Sequence, residues 1–472
     1  MEVGAADPGA EDADQDLAGP RLRLGDVLQP QPRLGFRFDE RLQCGIENKI
    51  PAATACAVSQ WCAGKSGRQE VAGRPVSTAQ SFLFFLILLG AAATALRLLS
   101  RTTPTVPYPV LLAVGGILIG LVPGLRLPPI GPDLILLAFV PGLVFEAALS
   151  LDLPELRRRV VPVSLLATVG VFLTVVLIGG LAHFGLGLDW PSGFLLGAIV
   201  AATDPIAVVT LLRQLRAPRG LEAILDGESL FNDGTGVALF SAVLGTIVTG
   251  HPSVLDAGVR FVYVSAGGLA VGVIAGAAAV LLVRTVGEAE LEILVTLVLA
   301  YGSYLAADLV HASGVVAVVT AGLVVARYGS RAGRLQGTQL HGFWNLLAFI
   351  LNAVLFLVVG IALPAQRLAA VAGLVLGAYV IMLAARLLPV YGLLAIADPG
   401  ARSIPWRWRH MTMWGGLRGA LSVALALSVV AYPGVDPNVS VLAYGMVLLS
   451  LVVQGGLLLP AADLLHLRNR PD

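Results

Sequence analysis

The chain is poor in charge and, over most of its length, lacks lysine and cysteine. Only 13% of its 472 residues are charged, whereas soluble domains carry about 25%. No lysine follows Lys65, and all three cysteines (Cys44, Cys56 and Cys62) lie near the N-terminus. An odd number of cysteines without paired spacing argues against a disulfide framework and against a zinc site. With a mean hydropathy of +0.84, the composition excludes an ordinary soluble protein and indicates a polytopic membrane protein.

The motifs of several enzyme classes are also absent. No Gly-Lys-Ser/Thr phosphate-binding motif occurs, so we expect no use of ATP. The six histidines are scattered without metal-ligand spacing, and Gly-Glu-Ser at 227–229 lacks the second glycine of a nucleophile elbow. We therefore expect a transporter and not an enzyme, with no cofactor, no resident metal and no nucleic-acid partner.

Three parts of the chain differ in composition. Residues 1–79 hold 11 of the 30 acids, have no long apolar run and are rich in Gly, Pro and Gln, which predicts a poorly ordered tail. Residues 80–465 are the predicted transmembrane domain. Residues 466–472 are a short tail.

About thirteen runs of the length that a bilayer requires follow residue 80, which predicts an all-α membrane bundle. Their limits are 80–99, 108–123, 132–150, 160–184, 191–214, 226–249, 258–284, 288–308, 312–328, 342–363, 367–396, 407–432 and 437–464.

Arginines define the expected orientation of these runs. The loops after odd-numbered runs hold 17 arginines, and the loops after even-numbered runs hold 3. Because positive residues stay on the cytoplasmic side, the odd loops and the C-terminus are predicted to be cytoplasmic and the N-terminal tail to lie outside. The expected location is the plasma (inner) membrane.

Six charged residues are assigned to the membrane interior, where each charge costs at least about 2.5–3.5 kcal/mol. Such residues are expected to face the bundle interior and to pair with one another. They are Glu146, Asp204, Glu228, Asp233, Arg386 and Arg418.

Asp204 lies in Thr-Asp-Pro (203–205) in the middle of the fifth run. Because proline removes a backbone donor and disfavours helix before it, this span is predicted to break there. A break leaves free carbonyls and half-helix ends that can bind ions. The alternative is a simple proline kink in which the aspartate caps the next helix.

A polar stripe follows in the sixth run, where Glu228 and Asn232 are four residues apart, as are Ser229 and Asp233. On a helix these four side chains share a face. Their oxygen atoms suit a hard cation such as Na+. Polar contacts between helices are the alternative interpretation.

Two arginines complete the set. Arg386 requires a partner in its apolar run, and Glu228 is the first candidate, with Glu146 the second; an arginine reaching out from a span end is the alternative. Arg418 lies in Gly-Gly-Leu-Arg-Gly (415–419), which predicts a second broken helix. Breaks seven spans apart are expected of inverted repeats with crossed broken helices, although a glycine-rich packing face is also possible for this motif.

In this order, Thr-Asp-Pro, Gly-Glu-Ser-Leu-Phe-Asn-Asp and Gly-Gly-Leu-Arg-Gly resemble the sodium/proton exchanger branch of the monovalent cation:proton antiporters, the NhaP-like proteins. The stretches around Phe145-Glu146 and Asn352 resemble other helices of the same family, so the resemblance covers about residues 80–465. It implies a core domain beside a scaffold and dimerisation domain, and a homodimer in the lipid bilayer.

The resemblance also implies roles for individual residues. Asp233 would bind the transported cation and the proton, and Thr203, Asp204 and Ser229 would complete the site. Asn232 would be the neutral partner that is typical of electroneutral members. Glu228 and Arg386 would form a structural ion pair, with Arg418 at the second break and Glu146 near the site.

The predicted function is therefore exchange of Na+, or of Li+ or K+, for H+ by alternating access. A K+/H+ antiporter or a cation channel on the same architecture remains the alternative. An anion carrier is disfavoured because acids outnumber bases four to two within the spans. An intramembrane enzyme would need a nucleophile–base pair or metal ligands, and the sequence contains neither in recognisable form.

Overall fold

The computed structural model of the protein describes residues 78–102, 108–122, 132–249, 254–284, 288–329, 338–362, 365–432 and 434–467. The predicted tail at 1–79 lies outside these ranges apart from its last two residues, and so do all but two of residues 466–472. Within the described ranges every regular element is a helix, which confirms the predicted all-α class.

The first half of the domain runs from the first span to the helix that carries the polar stripe. A π-helical turn, Leu166–Gly170, joins α6 to α7 in one continuous rod. The helices are α1 (Thr78–Thr102), α2 (Tyr108–Gly120), α3 (Pro132–Ala138), α4 (Val140–Ser150), α5 (Leu153–Arg158), α6 (Val160–Leu165), α7 (Val171–Leu186), α8 (Trp190–Ile199), α9 (Ile206–Gln214) and α10 (Arg219–Thr249).

The second half ends in another rod with a π-helical turn, Ser450–Gly455, after α19, and a single 3-10 turn, Val429–Ala431, follows α18. The helices are α11 (Val254–Val283), α12 (Ala289–Leu309), α13 (Gly314–Tyr328), α14 (Thr338–Ile361), α15 (Ala365–Ala370), α16 (Ala372–Ala397), α17 (Trp406–Trp414), α18 (Ala420–Ser428), α19 (Asn438–Leu449) and α20 (Leu458–Leu464).

Helices occupy all thirteen predicted runs. In the described part of the chain, eight are long and apolar enough to cross a bilayer on their own, and four shorter apolar helices of 10–17 residues accompany them. The total of thirteen spans stays a prediction, because several runs are divided between two short helices.

One boundary was wrong by seven residues. The run predicted to begin at 226 begins at Arg219, directly after Pro218, whose carbonyl accepts hydrogen bonds from Leu221 and Glu222. The apolar criterion excluded this first part because it contains Arg219 and Glu222. Acids are nevertheless favourable at a helix N-terminus, where they complement the helix dipole.

Both predicted helix breaks are present. One separates α8 from α9 at residues 200–205, and the other separates α17 from α18 at residues 415–419. Pro205 cannot continue the hydrogen-bond ladder of α8, and three glycines lower the helical stability of the second segment. The two breaks place unpaired backbone groups at membrane depth, where only protein or a water-filled cavity can satisfy them.

Small residues bring neighbouring helices close together, notably where α2 packs against α14. A Cβ atom at Gly116 would clash with the Leu357 carbonyl and lie 2.9 Å from the Gly360 Cα. The backbones therefore touch at this crossing, the usual way in which membrane helices gain van der Waals contact.

We expect Gly116→Ala to destabilise the protein although alanine has the higher helix propensity. The added methyl forces α2 and α14 apart, and overpacking of this kind costs about 1–3 kcal/mol. The measurement is the thermal unfolding midpoint of the purified protein in detergent. Gly180→Ala in α7 is the matched control, because no atom lies within 4 Å of the added methyl there; equal midpoints for the two variants would contradict the crossing.

Candidate ion-binding site

The two helix breaks cross and satisfy each other's backbone groups. The backbone N–H of Asp204 donates to the carbonyl of Leu417 at 2.7 Å. Gly419 passes so near Asp204 that any Cβ at this position would clash with the aspartate side chain. The crossing therefore requires glycine at 419, and it holds the Asp204 backbone in place.

Arg418 joins the second break to the first. Its NH1 donates to the carbonyls of Ala201 and Ala202, at 2.9 and 3.2 Å, beyond the C-terminal end of α8. Its backbone N–H donates to Ser450 Oγ at 3.0 Å, and its Nε lies 3.3 Å from Met382 Sδ. The side chain is fully buried. A positive charge is favourable there, because the C-terminal end of a helix carries partial negative charge.

A second cluster links the first break to the polar stripe of α10. Thr203 Oγ1 lies 3.0 Å from Ser229 Oγ and accepts a hydrogen bond of 2.6 Å from Asn232 Nδ2. The Thr203 backbone N–H also donates to Asn232 Oδ1, at 3.3 Å. The structure thus brings together three of the five predicted ion-binding residues, all three of them buried.

The two carboxylates of the predicted site differ in their contacts. Asp204 Oδ1 accepts a hydrogen bond of 3.0 Å from the backbone N–H of Ile206, so it caps the first turn of α9. Among the residues that the structure describes, no hydrogen bond or ion pair to Asp233 is present. Both carboxylates line the same cavity. The oxygen atoms of Asp233 therefore remain available to a proton or a cation.

This cavity has a volume of about 700 Å³. Its lining includes Arg97, Arg101 and Arg213, and Glu146 lies on its wall, where it accepts a hydrogen bond of 2.8 Å from Ser150. Along α10 the last residue to line the cavity is Asp233. Beyond it, residues such as Phe240 and Leu244 belong to a packed apolar core. The same cavity is thus lined by three arginines and by both carboxylates of the predicted site.

Arg386 lies against Glu228. The distance from Arg386 NH2 to Glu228 Oε1 is 2.7 Å, and the same nitrogen donates to the Thr412 carbonyl at 3.1 Å. Both side chains are buried. Of the two partners that the sequence left open, the structure pairs Arg386 with Glu228, while Glu146 lies on the cavity wall. The pair connects α10 to α16, and through Thr412 it also holds α17.

Several residues of the cavity were missed by sequence reasoning. Asn352 and Ser422 line it, as do Arg213 and Asp226. The sequence pattern assigns Arg213 to a loop and Asp226 to a span end. A signal for Asp226 was present, because Glu222, Asp226, Ser229 and Asp233 recur at the spacing of one helix face.

Comparison with known proteins identifies relatives over most of the chain. Residues 84–463 match the family model described as "Sodium/hydrogen exchanger, transmembrane". The chain is 36% identical over 377 residues to the Na+/H+ antiporter ApNhaP of Aphanothece halophytica, an alignment that covers 79% of this chain and 72% of that protein. It is 38% identical over 331 residues to the Na+/H+ antiporter NhaP of Pseudomonas aeruginosa, covering 67% and 77% respectively.

A solved structure has a similar fold. The sodium proton antiporter MjNhaP1 of Methanocaldococcus jannaschii superimposes with a TM-score of 0.68 over 82% of this chain and 99% of that chain. The sequence identity is 21%, so this likeness concerns the fold alone.

We expect Glu228→Gln to destabilise the protein by about 3–5 kcal/mol, because it leaves the buried Arg386 charge without its partner. The double variant Glu228→Gln/Arg386→Met should be less destabilised than Glu228→Gln alone, since it removes both charges. Thermal unfolding in detergent measures the difference. Glu290→Gln, at an exposed position in the first turn of α12, is the control. A double variant as unstable as the sum of its single changes would contradict the pairing.

Proposed function

Because the chain belongs to the sodium/hydrogen exchanger family, we propose that it is a secondary antiporter that exchanges Na+ for H+ across the plasma membrane, with competition between cation and proton at Asp233. Li+ and K+ are further candidate cations. The observation that carries the proposal is a cavity that is lined by both Asp233 and Asp204 beside two crossed helix breaks.

A cavity with this shape favours a carrier over a channel. A channel requires a continuous path across the membrane, whereas Phe240 and Leu244, which follow Asp233 along α10, belong to a packed apolar core. A carrier exposes its site to one side at a time, usually by moving the bundle with the broken helices against a scaffold. Such a movement would close the cavity on one side of Asp233 and open a path on the other.

The atoms around the end of the cavity suit a small hard cation. Carboxylate oxygens of Asp233 and Asp204, hydroxyl oxygens of Thr203 and Ser229, and the amide oxygen of Asn232 are all oxygen ligands, which Na+ and similar ions prefer. Asp233 supplies the negative charge, and the neighbouring groups replace part of the water that the ion loses. Asp204 also has a structural role, because its side chain accepts the hydrogen bond from the Ile206 N–H and so helps to hold the start of α9 in position.

Obligatory exchange follows from the charge of Asp233. When Asp233 holds either a proton or Na+, its charge is neutralised and the site can move past the hydrocarbon at low cost. When it is empty and anionic, the movement carries an unpaired charge, which costs several kcal/mol. Only the two loaded forms therefore cross readily, so proton movement one way is coupled to cation movement the other way.

The charges around Asp233 support a one-for-one exchange. Glu228 and Arg386 neutralise each other at 2.7 Å. Arg418 and Asp204 lie on the two crossed breaks and carry opposite charges, and Asn232 is neutral. Asp233 is the carboxylate of the predicted site that has neither a hydrogen bond nor an ion pair among the described residues. One proton or one Na+ per cycle is the expected load of such a site.

We also propose that the cavity opens toward the cytoplasm, with the N-terminal tail outside and the C-terminus inside. Arg97, Arg101 and Arg213, which line the cavity, all belong to the arginine-rich set of loops, and such loops stay in the cytoplasm. A homodimer is proposed from the family resemblance, and cross-linking in native membranes would test it.

Acid-loaded everted vesicles that contain the protein should lose internal protons when Na+ is added outside, and Asp233→Asn should reduce this flux to the level of vesicles without the protein. The amide cannot take up the proton or provide the charge that the cation needs. A pH-sensitive dye inside the vesicles gives the rate, and Li+ and K+ in place of Na+ give the preference. Asp308→Asn, at an exposed position on α12, is the control.

Proton flux that persists in Asp233→Asn would refute the assigned role of this carboxylate. Conduction of Na+ without proton release in the unsubstituted protein would instead favour a channel.

We expect the rate of Na+-dependent proton release to be independent of membrane potential. A one-for-one exchange of monovalent cations moves no net charge, and each elementary charge moved across 100 mV would otherwise change the energy by about 2.3 kcal/mol. Potentials of either sign, imposed across the same vesicles at constant Na+ concentration, provide the measurement. A rate that rises at one sign and falls at the other would contradict the one-for-one stoichiometry.

A further inference from the structure

Arg213 forms an ion pair at the mouth of the cavity. Its side chain extends from the last turn of α9, and its NH2 lies 3.2 Å from Asp226 Oδ2 on α10. Its Nε lies 3.7 Å from Glu222 Oε2, one turn earlier on the same helix. Arg213 and Asp226 both line the cavity that Asp233 also lines. This ion pair is distinct from the buried Glu228–Arg386 pair and has no part in the exchange as described above.

Asp226 is connected to the site by one face of α10. Asp226, Ser229 and Asp233 follow at spacings of three and four residues, and all three line the cavity. Seven residues of helix correspond to about 10 Å. A cation that enters by this route therefore passes the Arg213–Asp226 pair about two helical turns before it reaches Asp233.

The solvent exposure of Arg213 and Asp226 shows which of the two charges lies nearer to an entering ion. The Arg213 side chain is 56% exposed and the Asp226 side chain 21% exposed. The guanidinium thus lies over the carboxylates on the side of the water. It neutralises negative charge that would otherwise attract cations into the cavity, as paired acids in a cleft normally do.

We infer that Arg213 is a tethered counter-cation that sets the apparent affinity for the transported cation. It occupies the carboxylates of Asp226 and Glu222, and so it lowers the attraction that the cavity mouth exerts on Na+. This inference rests on the proposed function, because it concerns access to the same site. Arg213 acts through the acids of α10 and has no contact with Asp233.

The size of the effect follows from Coulomb's law. A unit charge about 10 Å from the ion, with an effective dielectric constant between about 20 and 80, changes its binding roughly two- to fifteenfold. Salt screens such an interaction over about 8–10 Å. An affinity set by Arg213 therefore depends on ionic strength, whereas a purely mechanical bond between α9 and α10 would alter stability and maximal rate.

The test is the Na+ dependence of proton release from everted vesicles, where the proposed cytoplasmic face meets the added ion. Arg213→Gln should lower the KM for Na+ about two- to tenfold and make it more sensitive to added choline chloride. Arg213→Lys should stay near the unsubstituted value because it keeps the charge. The double variant Arg213→Gln/Asp226→Asn should return KM toward that value, since it removes both members of the pair.

Arg158→Gln is the matched control, because it removes a guanidinium that is 77% exposed and does not line the cavity. It should leave KM unchanged. If Arg213→Gln does not yield folded protein, Asp226→Asn alone provides the test. This change leaves Glu222 as the only acid paired with the Arg213 guanidinium, so more positive charge faces the entering Na+ and KM should rise.

The inference is overturned if Arg213→Gln leaves KM unchanged or raises it while the unsubstituted protein exchanges normally. It is also overturned if Arg213→Lys behaves like Arg213→Gln, or if the double variant keeps the lowered KM. Absence of cation-dependent proton release from the unsubstituted protein would count against the proposed function itself, so the two failures are distinguishable.

Discussion

The mutual support of the two helix breaks is the constraint on which the rest of the site depends. A broken helix exposes backbone groups that hydrocarbon cannot satisfy. Here Leu417 accepts the hydrogen bond of the Asp204 backbone, and Arg418 donates to Ala201 and Ala202. Each break thus completes the other, and neither would be stable alone at this depth.

The crossing also explains why buried charge can be concentrated so heavily here. Arg418 is fully buried, but the carbonyl end of α8 and the side chains of Met382 and Ser450 surround it. Arg386 has Glu228 and the Thr412 carbonyl. The protein therefore neutralises its permanent charges with fixed groups. Asp233, which lacks such a partner among the described residues, is left as the group whose charge must be neutralised by a transported ion.

Much of this arrangement was predictable because charges and helix breakers are rare in membrane spans. Asp204 before Pro205, and Arg418 among three glycines, marked both breaks, and the scarcity of carboxylates left Arg386 only two candidate partners. The stripe from Glu228 to Asp233 followed from helical spacing. In each case one local rule was sufficient, because an unpaired charge or donor in hydrocarbon is too costly to be accidental.

Contacts between distant elements were not predictable in the same way. Spacing shows which side chains share a face of α10, but it does not show that Thr203 reaches Ser229 and Asn232, or that Arg418 reaches the end of α8. Arg213 and Asp226 were missed for a related reason. Both lie where the apolar pattern stops, so a criterion based on hydrophobicity assigned them to loop or span end, and only the start of α10 at Arg219 revealed that they meet in the cavity.

The same placement gives the cavity two electrostatic zones with different tasks. At the mouth, Arg213 reaches water and pairs with acids that are only partly buried, where the interaction is moderate and sensitive to salt. Deeper in the bundle, the Glu228–Arg386 pair is buried, so its mutual attraction is stronger and salt has little access. An entering ion therefore passes the salt-sensitive charges around Arg213 before it reaches the buried charges. Variation at the mouth can change access while the crossing, on which the fold depends, stays the same.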